Sequence, residues 1–477
     1  MVFNSFSFLV FYPLLFLLYY LIPAKHNSCR NLFLLILSYG LYINWKPIYA
    51  LILLFVTGIT FWGALVLKEE KLFSINIKKN KLLICIIVAL AIGPLVFFKY
   101  NNFITENLTS FLNIIGMNGT LPGLNLMVPI GISFFTFQAL SYLWDVYYKR
   151  IEPERNFLHY ALFVSFFPSI VAGPINKASL MLPQIKSLRT YFDYKMAVGG
   201  MRMFLWGLFM KIVVADRIAL YVDPIFNNYQ NFSGLTCALA CILYSIQIYA
   251  DFAGYSLMAI GVGKTLGFEL TENFKRPYFA FSVTDFWRRW HISLSTWLKD
   301  YVYIPMGGSR CSKIRNYGNI VFTFLVSGIW HGANWTYVVW GLLHGIFQVI
   351  EKALGQQKCV YGVVGKTIKI CITFVLVTFA WIFFRMPTLN DALNFVRQIV
   401  DLDLASPLYI VNKDFIFIML GLCLLSFKDI SDEFFLNKYS LMNSSNIVIR
   451  WLSYLSLILL IILAGVFEAG TFIYANF

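Results

Sequence analysis

The sequence predicts an all-α integral membrane protein of about ten to twelve transmembrane helices, with re-entrant and interfacial helices added. A succession of apolar runs is the first ground, in a chain of 477 residues that is 59% hydrophobic and 13% charged. A spanning helix needs about 20 mostly apolar residues to cross a hydrocarbon core of about 30 Å. No stretch between the runs is long enough for a soluble domain of ordinary size. The second ground is the abundance of Tyr and Trp near run ends, as interfacial belts require. The third is charge placement. A net charge of +15 would suggest nucleic acid in a soluble protein, but here the basic residues cluster in short loops. The positive-inside rule accounts for that pattern, and no nucleic-acid partner is expected.

Taken in order, the runs suited to spanning or near-spanning helices are roughly 5–22, 31–45, 48–67, 82–98, 126–148, 196–222, 232–262, 317–330, 334–351, 366–385, 413–427 and 447–467. The opening run lacks a basic n-region and a small-residue cleavage site, so it reads as a retained first span. Positive charge gathers at Lys25 and Arg30 and in the loops 68–81, 149–155, 177–195, 264–315, 352–369 and 428–450. All of these loops land on one side if the N-terminus is outside, which makes that side cytoplasmic. Two stretches depart from the pattern. Residues 156–174 form an apolar run between two basic loops and are expected to enter and return, turning near Ala172 to Ile175. Residues 101–123 are weakly amphipathic and are expected to form a helix parallel to the membrane on the outer side. No internal repeat or low-complexity linker is visible, so residues 1–477 are read as a single domain.

The chemistry gathers in one polar stretch, Asn273 to Arg310, and in a second piece, Ser327 to Trp335. At 100° per residue the segment Asp285 to Tyr301 places Phe286, Trp290, Leu294, Trp297 and Tyr301 on one face and Arg289, Ser293, Thr296 and Asp300 on the other. Arg288 and Lys299 lie nearby. This predicts one amphipathic helix at the membrane surface, with Ser282 and Asp285 as a capping pair and His291 at the edge of the apolar face. His331 ends a short apolar run, Tyr317 to Trp330, which at 1.5 Å per residue falls short of the hydrocarbon core. Its imidazole is therefore expected inside the membrane, where an ionisable group is a functional-site hypothesis by default. Trp330 and Trp335 flank it, and Gly332 would let a ligand approach the backbone.

Other polar residues have plainer readings. Asp251 and Gln247 sit mid-run, and the carboxylate is expected to pair with a basic residue of the Arg288–Arg289 region. His344 reads as a hydrogen-bonded packing residue, and His26 and His159 as surface residues. Arg288, Arg289 and Lys299 fit lipid-phosphate contacts and a ligand role equally well. The eight cysteines show no metal or disulfide rhythm and read as small core residues; the five histidines form no HxH or HxxxH pair, so no metal site is expected. A lone buried histidine suits general-base activation of a hydroxyl, a contribution of about 10²–10⁴-fold. A basic rim of Arg310, Lys313 and Arg315 around Gly307–Gly308 would attract a phosphate-bearing acyl donor such as coenzyme A.

Several motifs carry a family resemblance: FWRRWHISLSTWLKDYVYIPMGG (286–308), IWHGANW (329–335), VPIGISFFTFQALSYLWDVY (128–147), FPSIVAGPI (167–175) and QIYADFAGYSLMAIG (247–261). In this order, over most of the chain, they resemble membrane-bound O-acyltransferases of the alginate O-acetyltransferase branch. The resemblance implies a ring of transmembrane helices around a thin centre pierced by a tunnel, in a multi-pass protein of the bacterial plasma membrane. His331 would be the catalytic histidine and His291 the second characteristic one. Arg288, Arg289 and Lys299 would serve the donor phosphates, with Asp251, Trp330 and Trp335 in support. The donor would be cytoplasmic acetyl-CoA, with no bound cofactor. The acceptor would be an extracytoplasmic polysaccharide, reached directly or through an acetyl-relay partner protein. Leu257 departs from the pattern, because many relatives carry an aspartate there. A sister branch, the D-alanyl transferases that use a carrier-protein donor, shares the tryptophan–histidine pieces; YIPMGG (303–308) and IGISFFTFQALSY (130–142) favour the acetyl branch. A transporter of a lipid-linked sugar is the rival of another class, and it would normally show internal repeats.

Overall fold

The computed structural model describes residues 3–72, 77–117, 119–124, 126–171, 173–187, 192–355, 362–401, 408–410, 412–435 and 441–467. Among them the chain is helical throughout, with no strand. In order the helices are α1 (Phe6–Leu21), α2 (Asn27–Ile43), α3 (Pro47–Leu72), α4 (Ile77–Leu95), α5 (Asn101–Ile114), α6 (Ile132–Tyr147), α7 (Phe157–Ser165), α8 (Phe167–Ile170), α9 (Ala178–Lys186) and α10 (Tyr194–Phe209). They continue as α11 (Asp216–Asn227), α12 (Gly234–Thr265), α13 (Val283–Arg289), α14 (Ile292–Leu298), α15 (Lys313–His331), α16 (Trp335–Ala353), α17 (Val363–Arg385), α18 (Leu389–Val400), α19 (Asn412–Phe434) and α20 (Ile447–Ala464). Every expected apolar run contains a helix. Five of the described helices are both long and apolar enough to cross a membrane by themselves. Local chemistry sets many helix starts: Asn156, Ser282, Ser312, Asn334, Thr388 and Asn446 each accept a backbone N–H of the first turn.

The chain divides into two compact units. One comprises residues 10–198 with 262–271, and the other residues 2–9, 199–261 and 272–477. In the first unit, buried tyrosines tie helices to loops. Tyr42 and Tyr49 donate to the carbonyls of Ile130 and Met127 at 2.7 and 2.6 Å, and Tyr160 shares a 2.8 Å hydrogen bond with Thr60 of α3. The apolar run at 156–174 is broken at Phe166 into the nine-residue α7, buried from Tyr160 to Ser165, and the single turn α8, buried throughout. Its expected turning residue, Ala172, lies outside the described residues. Within the stretch 101–123, where a helix is expected, α5 ends at Ile114 and continues the run of α4 through a π turn at Val96–Tyr100.

In the second unit α15 and α16 form an antiparallel pair at close range. A Cβ at Gly328 would meet the Tyr337 carbonyl oxygen, and one at Gly341 the Phe324 carbonyl, so these two glycines let the backbones touch. This unit also buries a charged triad. Lys211 lies 2.7 Å from both Asp216 and Asp251. The expected partner of Asp251 in the Arg288–Arg289 region is thus replaced by a lysine on the π turn at Met210–Ala215. The reading of the cysteines as core residues holds for Cys237 and Cys241 only. Cys85, Cys371 and Cys423 are exposed on apolar helices, where a small side chain meets no packing demand, and Cys359 lies outside the described residues.

Candidate active site

His331 is the last residue of α15 and is 2% exposed. Three aromatic rings surround it edge-on: Trp330 at 4.9 Å between centroids, Trp340 of α16 at 4.9 Å and Phe384 of α17 at 5.2 Å. Trp381 backs the cage, stacked on Trp340 at 5.7 Å and 22°. The rings are brought together where three long helices, α15, α16 and α17, meet. Gly332 has a different role from the one its sequence suggests. A Cβ there would strike the Tyr337 ring, so the space belongs to packing and not to a ligand.

His291 joins the same neighbourhood through Trp330, 5.9 Å away, while Phe252 covers its other side at 4.7 Å. It is fully buried and stands in a left-handed conformation, φ 42 and ψ 53. The single amphipathic helix expected over 285–301 is therefore two seven-residue helices, α13 and α14, with the break at Trp290–His291. The cause lies upstream: Lys275 donates from its N–H to the Arg289 carbonyl, and Ile292 to that of Asn273, both at 2.9 Å. Asn273 Oδ1 also accepts from Ser293 N and Ser293 Oγ at 3.1 and 2.9 Å, and it lies 3.2 Å from His291 Nδ1. The apolar face survives the break, since Phe286, Trp290, Leu294, Trp297 and Tyr301 are all buried. Of the expected capping pair, Ser282 caps α13 through Asp285 N at 3.0 Å, and the Asp285 carboxylate turns instead to Arg289.

Beside the cage lies a cavity of about 440 Å³, within the usual size range of small-molecule sites. Arg288, Lys299 and Lys352 line it together with Trp287, Thr296 and Gln348. Trp287 forms the boundary with the cage. Its ring lies 5.7 Å from Trp340, and its Nε1–H donates to His344 Nδ1 at 3.2 Å. His344 is thus the buried, hydrogen-bonded packing residue expected. Neither His331 nor His291 lines the cavity, and two tryptophans in series, Trp287 and Trp340, stand between it and His331.

The remaining expected residues divide. Arg289 points away from the cavity, held by Asp285 at 3.0 Å and by Glu433 at 2.9 Å. Trp335 is 52% exposed at the start of α16, whereas Trp330 is buried in the cage. Gly307 and Gly308 adopt positive φ and make a tight turn, fastened by Asn316 and Asn319, which donate to the Gly308 carbonyl at 3.0 and 3.3 Å. Arg310, Lys313 and Arg315 are exposed around it. Sequence reasoning missed Asn273, Lys352 and Glu351. The signal for Glu351 was available only as a lone carboxylate at the end of an apolar run.

Comparison with known proteins fits this arrangement. The family model for the membrane-bound O-acyltransferase family matches residues 148–386, a span containing both histidines, the cage and the cavity. The chain belongs to that family. It is 40% identical over 395 residues to the probable alginate O-acetylase of Pseudomonas syringae pv. tomato, covering 82% of this chain and 74% of that protein. It is 36% identical over 421 residues to the peptidoglycan O-acetyltransferase of Helicobacter pylori, covering 82% and 78%. The teichoic acid D-alanyltransferase of Bacillus subtilis is more distant, 28% identical over 277 residues, 55% of this chain and 70% of that one. As a member of the membrane-bound O-acyltransferase family, the chain is a multi-pass membrane O-acyltransferase, and the relatives it matches are bacterial.

Proposed function

We propose that the protein transfers an acetyl group from cytoplasmic acetyl-CoA to hydroxyls of an extracytoplasmic polysaccharide, directly or through a partner protein that relays the acetyl group. The observation that carries this reading is a buried histidine in an aromatic cage, joined through Trp340 and Trp287 to a cavity with three basic side chains. Arg288, Lys299 and Lys352 supply the positive field that phosphate groups of a coenzyme A donor need, and the thioester end would lie toward the cage. Neutral His331 takes the proton of the acceptor hydroxyl as that oxygen attacks the acetyl carbonyl. The carbon–sulfur bond then breaks, and the imidazolium returns its proton to the departing thiolate. Products are an O-acetyl ester and free coenzyme A. His291 orients the reacting groups from the other side of Trp330, and Lys211 and Asp251 organise the core behind it.

A tunnel through a thin membrane centre, ringed by about ten to twelve spans with the basic loops in the cytoplasm, completes the reading. Its support is that every expected apolar run contains a helix and that the apolar part of the helix His331 ends, Tyr317 to Trp330, is shorter than the hydrocarbon core. The acceptor class rests on the relatives, one named for alginate and one for peptidoglycan, both polymers rich in hydroxyls. The test is acetyl transfer from labelled acetyl-CoA in membrane vesicles, with the unaltered protein and His331→Ala at equal folded expression. Label transfer by the first and none by the second is the expected result. Turnover retained by His331→Ala would overturn the site. An unaltered protein that uses only an acylated carrier protein would overturn the donor.

A further inference from the structure

Helix α13 carries two residues of the cavity wall besides Thr284, namely Trp287 and Arg288, yet it is only seven residues long. Isolated helices shorter than about 12–15 residues are marginal in water, so α13 depends on what holds its ends. Two carboxylates do this, both from distant parts of the chain. At its start, Glu351 of α16 accepts from Val283 N at 2.5 Å and from Thr284 N and Thr284 Oγ1 at 3.1 Å each. This side chain is 8% exposed and meets the N–H groups that a helix start leaves without partners. At the other end Glu433 of α19 receives Arg289 Nη1 on one oxygen at 2.9 Å and Arg276 Nε on the other at 2.7 Å. Asp429, one turn earlier on α19, accepts from Tyr249 at 3.0 Å, and Phe279 packs on Phe434. The end of α19 is thus fastened to the site segment at several points.

We infer that Glu351 and Glu433 are positioning residues for the donor cavity, clamping α13 at its two ends so that Trp287 and Arg288 stand at the cavity wall. Neighbouring residues on a helix project about 100° apart. Fixing Arg289 on Glu433 therefore fixes the rotation of α13 about its axis, and Arg288 turns to the cavity as a consequence. Glu433 lies beyond residue 386, where the family-model match ends. This inference rests on the coenzyme A reading above, and its experiment separates the two.

Equilibrium binding of coenzyme A to the purified full-length protein would be measured alongside KM and kcat for acetyl-CoA and thermal stability. Glu351→Ala and Glu433→Ala should each raise Kd and KM about tenfold, the scale of losing a helix cap, with kcat within about twofold. Glu351→Gln keeps one acceptor oxygen and should recover part of the affinity. A merely structural role gives another pattern: a lower melting temperature and less active protein, with Kd unchanged in the folded fraction, and that result overturns the inference. An unaltered protein that binds no coenzyme A overturns the donor reading and this inference with it. Unaltered protein that binds, with variants that bind equally well, overturns the clamp alone.

Discussion

Around His331 the protein packs large rings from three long helices, α15, α16 and α17, and it does so without a charged neighbour among the cage residues. The adjoining cavity shares α15 and α16 on one side, but its other side is assembled differently, from two seven-residue helices and a π turn at Lys299–Tyr303 held by caps and ion pairs. The difference teaches where each half is vulnerable. Close-packed interiors respond to volume, since even one methylene is felt. Charged clamps respond to the loss of one partner, because the other is left half-buried and uncompensated. Substitutions of the two kinds should therefore separate chemistry from donor binding.

The largest effect belongs to His331. His331→Gln should lower kcat by at least the roughly 10²–10⁴-fold of a positioned base. Coenzyme A affinity should stay within about twofold, because His331 does not line the cavity. A large loss of affinity would mean that cage and cavity form one binding site. Next in size is the α15–α16 contact. Gly328→Ala should cost about 1–3 kcal/mol by overpacking against the Tyr337 carbonyl and should lower the melting temperature measured in detergent. Gly318→Ala on the same helix adds its methyl to open space and serves as the control. Equal melting temperatures for the two variants would show that the backbones do not approach as closely as described.

A smaller effect distinguishes the two adjacent arginines. Arg288→Ala should raise the Kd for coenzyme A several-fold, by about 1 kcal/mol, and leave the melting temperature unchanged, because this side chain is exposed at the cavity wall. Arg289→Ala should lower the melting temperature as well as the affinity, since it leaves Asp285 and Glu433 without their shared cation. The same profile for both variants would remove the distinction between ligand contact and clamp.

Much of this was legible in the sequence, and the limit has a physical form. Apolar runs mark helices because hydrophobic length is local information, and His331 stood out because its run is short. The amphipathic face of 285–301 was also legible, and those five residues are buried. The break at His291 was not, because it depends on Asn273, eighteen residues upstream, offering its carbonyl and its side chain to the same turn. Helical periodicity has no means of registering such a competitor. Asp251 needed a cation, but nothing local says that it comes from Lys211, forty positions earlier on a π turn. Glu351 and Glu433 were hidden for the same reason: each lies on another helix and acts on α13 only in three dimensions.

The smallest effect concerns pH and tests the clamp from within. Glu433 lies beyond the apolar run 413–427. Burial works to raise its carboxyl, but hydrogen bonds and charges from Arg289 and Arg276 outweigh burial and hold it below its ordinary value of 4.5. A carboxyl lowered on folding contributes stability above its unfolded value and loses that contribution as pH falls through the folded one. Coenzyme A has titrating phosphates of its own, so the useful quantity is the ratio of Kd in Glu433→Gln to Kd in the unaltered protein. Asp429, pushed up to about 6 by burial, titrates in both proteins and cancels in that ratio to first order. The ratio should stay constant from neutral pH down to about 5, then shrink toward one as Glu433 is protonated. A ratio that changes between pH 8 and 6 would place the titrating group elsewhere and leave the α19 end of the clamp without its charge.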